Sequence, residues 1–273
     1  MVPKSNVHSH TTFADGRNTP EEMVLAALKL GFHTLGFSEH AWLDIDPCCM
    51  RPEQEPLYRT EIRRLQQRYG DRIHILLGCE HDWFSPAGFS EYEYAIESVH
   101  FVRAGGESFC VDRGRAYLED VIRRCYGGDP YALCRDYFRT VCESCLGTRA
   151  DILGHIELVM KFNEKRDLFD DADPRYLRAT LEAADCAADS GRLVEINTGA
   201  IARGYRSGPY PGPAMLRRLA ERNAPILLTS DCHNAAFLDC AFGEALALAR
   251  ACGFRSAWMY RGPKPEEYPL EGD

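Results

Sequence analysis

The feature that most limits the fold of this chain is a repeated alternation of short apolar runs with segments of helical periodicity. The two patterns alternate about eight times over 273 residues, which is typical of a parallel sheet with crossover helices. The runs 73–77 and 226–228 are apolar on both faces, as the strands of a covered parallel sheet or barrel must be. The sequence therefore predicts one α/β domain over residues 1–273, with a closed, irregular (β/α) barrel as the preferred architecture.

Helix boundaries support this division of the chain. Residues 19–22 combine a capping threonine, a proline at the first helical position and acidic side chains in the first turn, so a helix is expected from there to Leu30. The segment Pro174–Ser190 has helical periodicity and is closed by Gly191. A doubly wound open sheet is the alternative, but no glycine-rich phosphate-binding turn follows the first apolar run, residues 2–7.

The distribution of charge disfavours some partners. The formal net charge is −9, and the acidic and basic residues are dispersed rather than clustered. Long nucleic acids and anionic membrane surfaces would not be attracted to such a surface. The first residues lack the apolar core of a signal peptide, and no segment has the charge-free length that a membrane span needs. We therefore expect a cytoplasmic protein without membrane or long nucleic-acid partners; its oligomeric state stays open.

Twelve cysteines are many for a chain of this length. Without export signals, free thiols in a reducing compartment are expected rather than a disulfide framework. Only Cys142 and Cys145 have the spacing of a ligand pair, and no second pair follows. Because they lie in a helical pattern, we expect buried apolar side chains there, with a structural zinc or a redox pair as the alternative.

The histidines are concentrated at the ends of predicted strands. Six of the nine lie at or just past such ends: His8, His10, His40, His100, His155 and His233. Glu80 and Asp231 lie at equivalent positions. A single histidine could be an ordinary core or surface residue, but the carboxyl ends of barrel strands meet at one mouth, where this architecture places its chemistry. The set therefore predicts a shared metal centre.

This number of ligands exceeds what one ion needs. A catalytic zinc commonly has three protein ligands and one open position, so two or three divalent ions are implied. His8 and His10, two residues apart in an extended segment, project to the same side and are suited to one ion. Nitrogen and oxygen ligands without thiolates suit zinc, manganese or iron, and the sequence does not choose among them.

Seven ordered motifs carry these residues. They are His8-Ser9-His10, the loop with Asp15, Gly36-Phe37-Ser38-Glu39-His40, Gly78-Cys79-Glu80, Ser98-Val99-His100, Gly154-His155 and Ser230-Asp231-Cys232-His233. In this order and spacing they resemble the motifs of the PHP (polymerase and histidinol phosphatase) family. Residues 195–197 and the Tyr210-Pro211 segment resemble its histidinol-phosphatase branch. The resemblance extends from Val7 to about Gly253.

The resemblance implies a distorted seven-stranded, TIM-like (β/α) barrel with a trinuclear centre at the carboxyl ends of its strands. The first metal would be held by His8, His10, Glu80 and Asp231. The second would be held by Glu80, His100 and His155, so that Glu80 bridges the two. Asp15, His40 and His233 would hold the third. Asn6 and Glu157 stand where the family often has Asp, and neither is an expected ligand.

The family further implies a metal-dependent phosphomonoesterase, with L-histidinol phosphate as the expected substrate in histidine biosynthesis. Metal ions held close together lower the pKa of a bridging water to about 7, and the resulting hydroxide would attack phosphorus. Arg203 and Lys161 are expected to clamp the phosphate oxygens. Glu39, Trp42 and Tyr205 are candidates by position for contacts with the rest of the substrate. A nucleotide or other small phosphate ester is the alternative substrate, and a non-catalytic metal-binding module is the alternative class.

Overall fold

The apolar runs form strands and the amphipathic segments form helices in a computed structural model that describes residues 2–270. The strands are β1 (Ser5–Asn6), β2 (Thr34–His40), β3 (His74–Asp82), β4 (Tyr94–Ser98), β5 (Phe101–Ala104), β6 (Glu107–Cys110), β7 (Ile152–Leu153), β8 (Leu193–Asn197), β9 (Ile226–Thr229), β10 (Ser256–Tyr260) and β11 (Pro265–Pro269). The helices are α1 (Pro20–Lys29), α2 (Glu55–Tyr69), α3 (Arg115–Cys125), α4 (Pro130–Gly147), α5 (Pro174–Ser190), α6 (Gly199–Ala202), α7 (Pro213–Glu221) and α8 (Phe242–Ala251).

Nine of the strands form one sheet, in the order β1-β2-β3-β4-β7-β8-β9-β10-β11. Neighbouring strands pair in parallel except β10 and β11, which are antiparallel. The other two strands, β5 and β6, form a separate antiparallel hairpin. Helices connect most of the parallel strands, so the predicted α/β class with a largely parallel sheet is confirmed.

The sheet closes on itself just beyond the carboxyl ends of β1 and β9. Ser9, which follows β1, forms a parallel bridge with Cys232, which follows β9. The His10 N–H donates to the Cys232 carbonyl at 2.9 Å, and the Cys232 N–H donates to the His8 carbonyl at 3.0 Å. Seven parallel strands, β1–β4 and β7–β9, are thereby joined into a ring at their carboxyl ends, while β10 also lies against β1. The ring is the irregular (β/α) barrel expected from the sequence.

Apolar side chains from the strands fill the interior of the ring. The cluster consists of Val7, Leu76, Tyr94, Ile96, Ile152, Leu193, Leu227 and Tyr260. The Tyr94 hydroxyl crosses it to donate to the carbonyls of Val7 and Phe37, at 2.6 and 3.0 Å. Gly78 makes room for this ring, because a Cβ there would lie 2.3 Å from the Tyr94 ring carbons. The barrel is therefore packed below its mouth, where this architecture places its ligands.

The helices cover the outside of the sheet with two larger apolar clusters. One packs α1 and α2 on β2 and β3, and the other packs α3–α5, α7 and α8 on β7–β9. The predicted helix starts are confirmed: Thr19 and Glu22 form a reciprocal capping box before α1. Gly191 ends α5 with a φ of 67°, a left-handed conformation that glycine adopts without steric cost. No helix among residues 2–270 is long and apolar enough to cross a bilayer.

Some boundaries differ from the prediction. The run 95–102 predicts a single strand, but β4 ends at Ser98, and residues 101–110 form the β5–β6 hairpin around Gly105 and Gly106. Both glycines have positive φ, so the two-residue glycine turn was the overlooked signal. The run 72–79 predicts a strand with His74 in its interior, but His74 begins β3, which continues to Asp82. The strand β11 and the short helix α6 were not predicted.

One cysteine prediction is wrong. Cys142 is not a free thiol but is disulfide-bonded to Cys186, joining α4 to α5 with Cα atoms 5.2 Å apart. The two residues are 44 positions apart, and only the packing of these helices brings them together. The alternative of a zinc or redox pair with Cys145 is excluded in this structure, because Cys145 is buried and its partner is occupied. The other ten cysteines are free, as expected.

Candidate metal centre

Every predicted ligand lies at the mouth of the barrel. His8 and His10 follow β1, His40 ends β2, Glu80 lies near the end of β3, His100 follows β4, His155 follows β7, Asp231 and His233 follow β9, and Asp15 lies in the loop before α1. In a ring of parallel strands these positions share one rim. The structure therefore brings together residues that are up to 225 positions apart in the sequence, from His8 to His233.

Glu80 occupies the middle of this group. Five imidazoles surround its carboxylate: His40, His8 and His10 at 3.0, 3.2 and 3.4 Å from Oε2, and His155 and His100 at 2.9 and 3.4 Å from Oε1. Ser98 also donates to Oε1, at 2.7 Å. A carboxylate with separate neighbours on each oxygen is placed as a bridging ligand would be.

Asp231 closes the group from the opposite side of the ring. Its Oδ1 lies 3.2 Å from His10 Nε2 and 3.5 Å from His8 Nε2. The residue has a φ of 44°, a left-handed conformation that is uncommon outside glycine and that aspartate tolerates better than most residues. The turn of the backbone at this point directs the carboxylate back over the strand ends. Arg203 donates to its other oxygen, Oδ2, at 2.7 Å.

The outer edge of the centre is formed by Asp15, His40 and His233. Asp15 Oδ2 lies 3.2 Å from His233 Nε2, and Oδ1 lies 3.8 Å from His40 Nε2. The Asp15 loop folds back closely on the strand, since a Cβ on Gly16 would lie 2.4 Å from the backbone of His10. The glycine after Asp15 is therefore needed to bring its carboxylate to the mouth.

The chemistry of these side chains fits divalent metal ions. Several of their ring and carboxylate atoms are buried and have no hydrogen-bond partner within residues 2–270: His8 Nε2, His10 Nδ1 and Nε2, Glu80 Oε2 and His155 Nδ1. Unpaired buried polar atoms are costly, and metal coordination is one way to satisfy them. Four sets of ligand atoms lie within 4.8 Å of one another: His10-Asp15-His40-His233, His8-His155-Asp231, His8-His10-Glu80 and His40-Glu80-His100.

These sets overlap the ligand groups expected from the family but do not reproduce them. His10 belongs both to the set with Glu80 and to the outer set with Asp15. His155 is placed with His8 and Asp231, although its Nε2 also lies 2.9 Å from Glu80. The distribution of the nine residues among individual ions therefore stays a prediction.

The electrostatics of the site favour added positive charge. Burial raises the pKa of Glu80, but the neighbouring His8, His40 and His100 outweigh burial, and the pKa lies well below its ordinary value. Burial lowers the pKa of His8, but Glu195, Glu80 and Asp231 raise it well above its ordinary value. The buried carboxylates thus stay ionised while His8, His40 and His100, whose pKa values the carboxylates raise, hold protons. Divalent cations would supply the same charge and leave the ring nitrogens free as ligands.

A cavity of about 520 Å³ opens onto the ligands. Both predicted phosphate clamps, Lys161 and Arg203, line it together with His100, His155 and Asp231. Lys161 follows a short 3₁₀ turn after the His155 strand, and its ammonium donates to the Asp112 carboxylate at 3.0 Å. Arg203 directly follows α6 as its C-cap residue. Its guanidinium donates to Asp231 and lies 3.1 Å from His233 Nδ1. Two cations therefore line the same cavity as the ligands.

Of the three positional candidates for substrate contacts, Glu39 does not reach this cavity. Glu39 is fully buried, accepts a hydrogen bond from Thr11 and lies 3.9 Å from His10 Nδ1. Burial raises its pKa to about 8. Glu39 precedes His40 in β2, so its side chain points to the opposite face of the strand from His40. The expectation of a substrate contact at Glu39 is therefore wrong. Tyr205 lines a neighbouring cavity with Arg203, and Trp42 lines neither of the two cavities that contain Arg203.

Other carboxylates at the site were not predicted as functional. Glu195 contacts Nδ1 of His8, and Asp82 Oδ2 lies 3.2 Å from Nδ1 of His100 and accepts from its backbone N–H at 2.8 Å. The ring nitrogens that face Glu80 are the other ones, Nε2 in both histidines. A signal was present for Glu195, because an acidic residue in the apolar strand 193–197 needs buried partners.

The fold and the site together define a class of protein. The chain is a (β/α) barrel whose strand ends gather nine imidazole and carboxylate side chains suited to several divalent ions, beside two cations that line the same cavity.

Comparison with known proteins identifies the family. The family model described as PHP domain matches residues 6–199. A probable histidinol-phosphatase of Deinococcus radiodurans is 31% identical, over 94% of this chain and 96% of its own length. The histidinol-phosphatase of Bacillus subtilis is 26% identical, over 86% of this chain and 95% of its own. The chain belongs to the PHP domain family, and the resemblance drawn from the motifs is confirmed.

A solved structure supports the fold. The histidinol phosphate phosphatase of Lactococcus lactis, crystallised in complex with zinc, L-histidinol and phosphate, superposes with a TM-score of 0.68. The match covers 96% of this chain and 99% of that one, at 21% identity. The order and packing of the elements are thus shared over almost the full length of both chains.

Proposed function

We propose that this chain is a metal-dependent phosphomonoesterase that hydrolyses L-histidinol phosphate to L-histidinol and phosphate. The observation that carries the proposal is that the metal-ligand set and the two cations Lys161 and Arg203 face one cavity. The names of the relatives support the choice of substrate. The ligands are proposed as the nine residues His8, His10, Asp15, His40, Glu80, His100, His155, Asp231 and His233.

The proposed metals are two or three ions of zinc, manganese or iron. When bound, such ions polarise phosphoryl oxygens and provide a water that ionises near neutral pH. Zinc in the Lactococcus lactis protein supports that choice without fixing the number of ions. With no thiolate among the ligands, all three metals suit the donor atoms.

The other residues of the mouth would bind and orient the phosphate. The Arg203 guanidinium, held against Asp231, keeps a fixed direction and can donate to two phosphate oxygens at once. Lys161 is buried against Phe162 and Tyr205, so its ammonium is confined to the cavity wall. Of its three N–H donors, those not used by Asp112 remain for a ligand. Such preset positive charge stabilises the extra negative charge of the transition state.

Two further statements are part of the proposal. Residues 1–273 would form a single PHP-type domain, and the substrate would be a small phosphate ester rather than a long nucleic acid. The dispersed charge and the limited volume of the cavity support the second statement. A cytoplasmic location stays a prediction from the sequence.

Elemental analysis of protein purified without added metal, followed by phosphate-release kinetics, tests the proposal. We expect two or three equivalents of divalent metal and a kcat/KM for L-histidinol phosphate at least about 100-fold above that for nucleoside monophosphates, because buried polar groups reject substrates that leave them unpaired. Preference for a nucleotide would support the alternative substrate class. Full metal occupancy without hydrolysis of any phosphomonoester would instead indicate a non-catalytic metal-binding module.

A further inference from the structure

Glu195 is a charged residue in the middle of the otherwise apolar strand β8, and it is completely buried. Its carboxylate has four hydrogen-bond partners, two on each oxygen. Oε1 contacts His8 Nδ1 and accepts from the Thr229 hydroxyl at 2.5 Å. Oε2 accepts from the His155 N–H at 2.7 Å and from Asn197 Nδ2 at 2.9 Å. Asn197 lies in β8 itself, and the other three partners come from other positions on the ring, after β1, after β7 and in β9.

The partners of Oε2 can only donate. The His155 contact is a backbone N–H, and the orientation of the Asn197 amide is set because its Oδ1 accepts from the Gly199 N–H at 2.8 Å. With Thr229 donating to Oε1, a proton on Glu195 would face donors on nearly every side. The arrangement therefore requires an ionised carboxylate, which accepts from His8 Nδ1–H.

The consequence for His8 concerns its second nitrogen. In a neutral imidazole only one nitrogen carries a proton, so a proton held on Nδ1 leaves Nε2 with a free lone pair. That Nε2 is buried without a hydrogen-bond partner among the described residues and lies between Glu80 Oε2 and Asp231 Oδ1, at 3.2 and 3.5 Å. A carboxylate behind a histidine is a general means of orienting a metal ligand and raising its basicity.

We propose that Glu195 is a positioning residue: it fixes His8 as the Nδ1–H tautomer and thereby presents Nε2 to a divalent cation at the mouth of the barrel. The inference rests on the proposed metal centre. It adds a residue outside the ligand set that decides whether one ligand can bind. Through its contact with the His155 N–H, the same carboxylate also fixes the backbone that carries a second ligand.

A glutamine at position 195 cannot reproduce this pattern. Its single amide oxygen could accept from only one of the two sides, and the amide N–H₂ would face donors on the other. If the oxygen satisfies the His155 N–H and Asn197, the amide nitrogen faces His8, which must then accept at Nδ1 and carry its proton on Nε2. A protonated Nε2 cannot bind a metal ion.

The chain contains a matched control. Glu97, in β4, is also buried and contacts an imidazole, His81 Nδ1, at 3.0 Å, and it accepts from the Thr148 hydroxyl at 2.6 Å. The other nitrogen of His81 is bound to the Ala87 carbonyl at 2.9 Å, so His81 belongs to none of the metal-ligand sets. Glu97→Gln therefore changes the same kind of buried pair without touching a proposed ligand.

The first test is nitrogen-15 NMR of the histidine rings in metal-free full-length protein, recorded over a pH titration and read where the His8 ring is neutral, because the neighbouring carboxylates raise its pKa. Wild type should show His8 protonated on Nδ1, and Glu195→Gln should shift the proton to Nε2, while Glu97→Gln leaves His8 as in wild type. An unchanged His8 tautomer in folded Glu195→Gln would overturn the proposal. Because this measurement needs neither metal nor substrate, it stands even if the proposed activity is wrong.

The second test is zinc binding by competition with a chromophoric chelator. Glu195→Gln should weaken the binding of at least one zinc equivalent by about 10–100-fold, and Glu195→Asp should recover part of the loss. Glu97→Gln should bind zinc as wild type does, even if its melting temperature falls equally. If Glu97→Gln lost zinc to the same extent as Glu195→Gln, Glu195 would be only a structural residue, and the proposal would be wrong.

Discussion

The metal centre has an inner half, formed by His8, His10, Glu80 and His155, and an outer half, formed by Asp15, His40 and His233. The two halves differ in how deeply their side chains are buried and in the groups that contact them. The side chains of His8, His10, Glu80 and His155 are at most 3% exposed, whereas those of Asp15, His40 and His233 are 31%, 12% and 17% exposed. The inner ligands lie at strand ends, and two of them have a buried carboxylate near Nδ1: Glu195 contacts His8, and Glu39 lies 3.9 Å from His10. Two of the outer ligands, Asp15 and His233, lie on loops.

The difference in burial indicates that the two halves would have different functions. An ion in the inner half would be held by pre-positioned ligands with little freedom to rearrange. An ion in the outer half would lie beside the cavity, where its remaining coordination positions are open to water or to a phosphate oxygen. The inner half would therefore supply metal affinity, and the outer half would supply contact with the substrate.

The largest effect is expected where both halves share a ligand. Glu80→Gln removes the charge that His8, His10 and His40 surround on one oxygen, so metal should be lost from both halves. We expect kcat to fall by about a thousandfold, together with the metal content measured by atomic emission. A fully metallated and fully active variant would rule out a bridging role for Glu80.

A smaller loss is expected from the phosphate clamp. Arg203→Ala should lower kcat/KM for a phosphomonoester by about a hundredfold, with a higher KM and a lower kcat, because it removes donors to the transferring group. Metal content should remain that of wild type. Arg206→Ala is the control, since Arg206 donates to the Met160 carbonyl and does not line the cavity. Equal kinetics for the two variants would remove Arg203 from the site.

A chelator should remove metal from the outer half before it removes metal from the inner half. With a dilute chelator, the ion held by Asp15, His40 and His233 should leave before the others, because its ligands are partly exposed. Atomic emission should show an early loss of one equivalent, and Asp15→Asn should lack that early phase. Asp46→Asn, which changes another carboxylate of the cavity, should retain it. Loss of all ions at a single rate would contradict the division into halves.

The smallest effect concerns a pair outside the ligand set. Burial raises the pKa of Asp112, but Lys161 and His100 outweigh it, and the pKa lies below its ordinary value. Asp112→Asn should therefore lower the unfolding free energy by about 1–2 kcal/mol, as loss of a charged hydrogen bond does. A carboxyl with a lowered folded pKa contributes stability above its unfolded pKa and loses it as the pH falls through the folded value.

The stabilisation by Asp112 should depend on pH in a defined direction. The difference between wild type and Asp112→Asn should stay constant from about pH 8 to pH 5 and shrink below about pH 4, near the unfolded pKa of aspartate. Denaturant titrations at several pH values measure it. Asp44→Asn, an exposed aspartate with no ion pair among residues 2–270, should match wild type throughout. A difference that grew in acid would contradict the assigned direction.

Much of the centre was predictable because parallel strands place their carboxyl ends on one rim. That rule alone predicted that the strand-end residues from His8 to His233 lie near one another, whereas Asp15, in a loop, was expected only from the family resemblance. The alternation of side chains along an extended segment likewise placed His8 and His10 on one side, and their ring centroids lie 5.2 Å apart. In each case the information was local, consisting of a strand end and a spacing.

The contacts that the sequence did not reveal join residues that are far apart in the chain. Glu195 and His8 are 187 residues apart, and only closure of the ring beyond β1 and β9 brings them into contact. The same is true of Cys142 and Cys186, whose contact depends on how α4 packs against α5. The antiparallel β5–β6 hairpin is different, because its glycine turn was visible in the sequence and was not used.

Anomalous diffraction from crystals of the metal-loaded protein, soaked with phosphate, tests the central claim most directly. We expect two or three metal peaks at the barrel mouth, at about 2.0–2.3 Å from nitrogen and carboxylate atoms of the nine proposed ligands, with phosphate between the outer ion and Arg203. Peaks bound elsewhere on the chain, or a mouth without metal in fully loaded crystals, would contradict it.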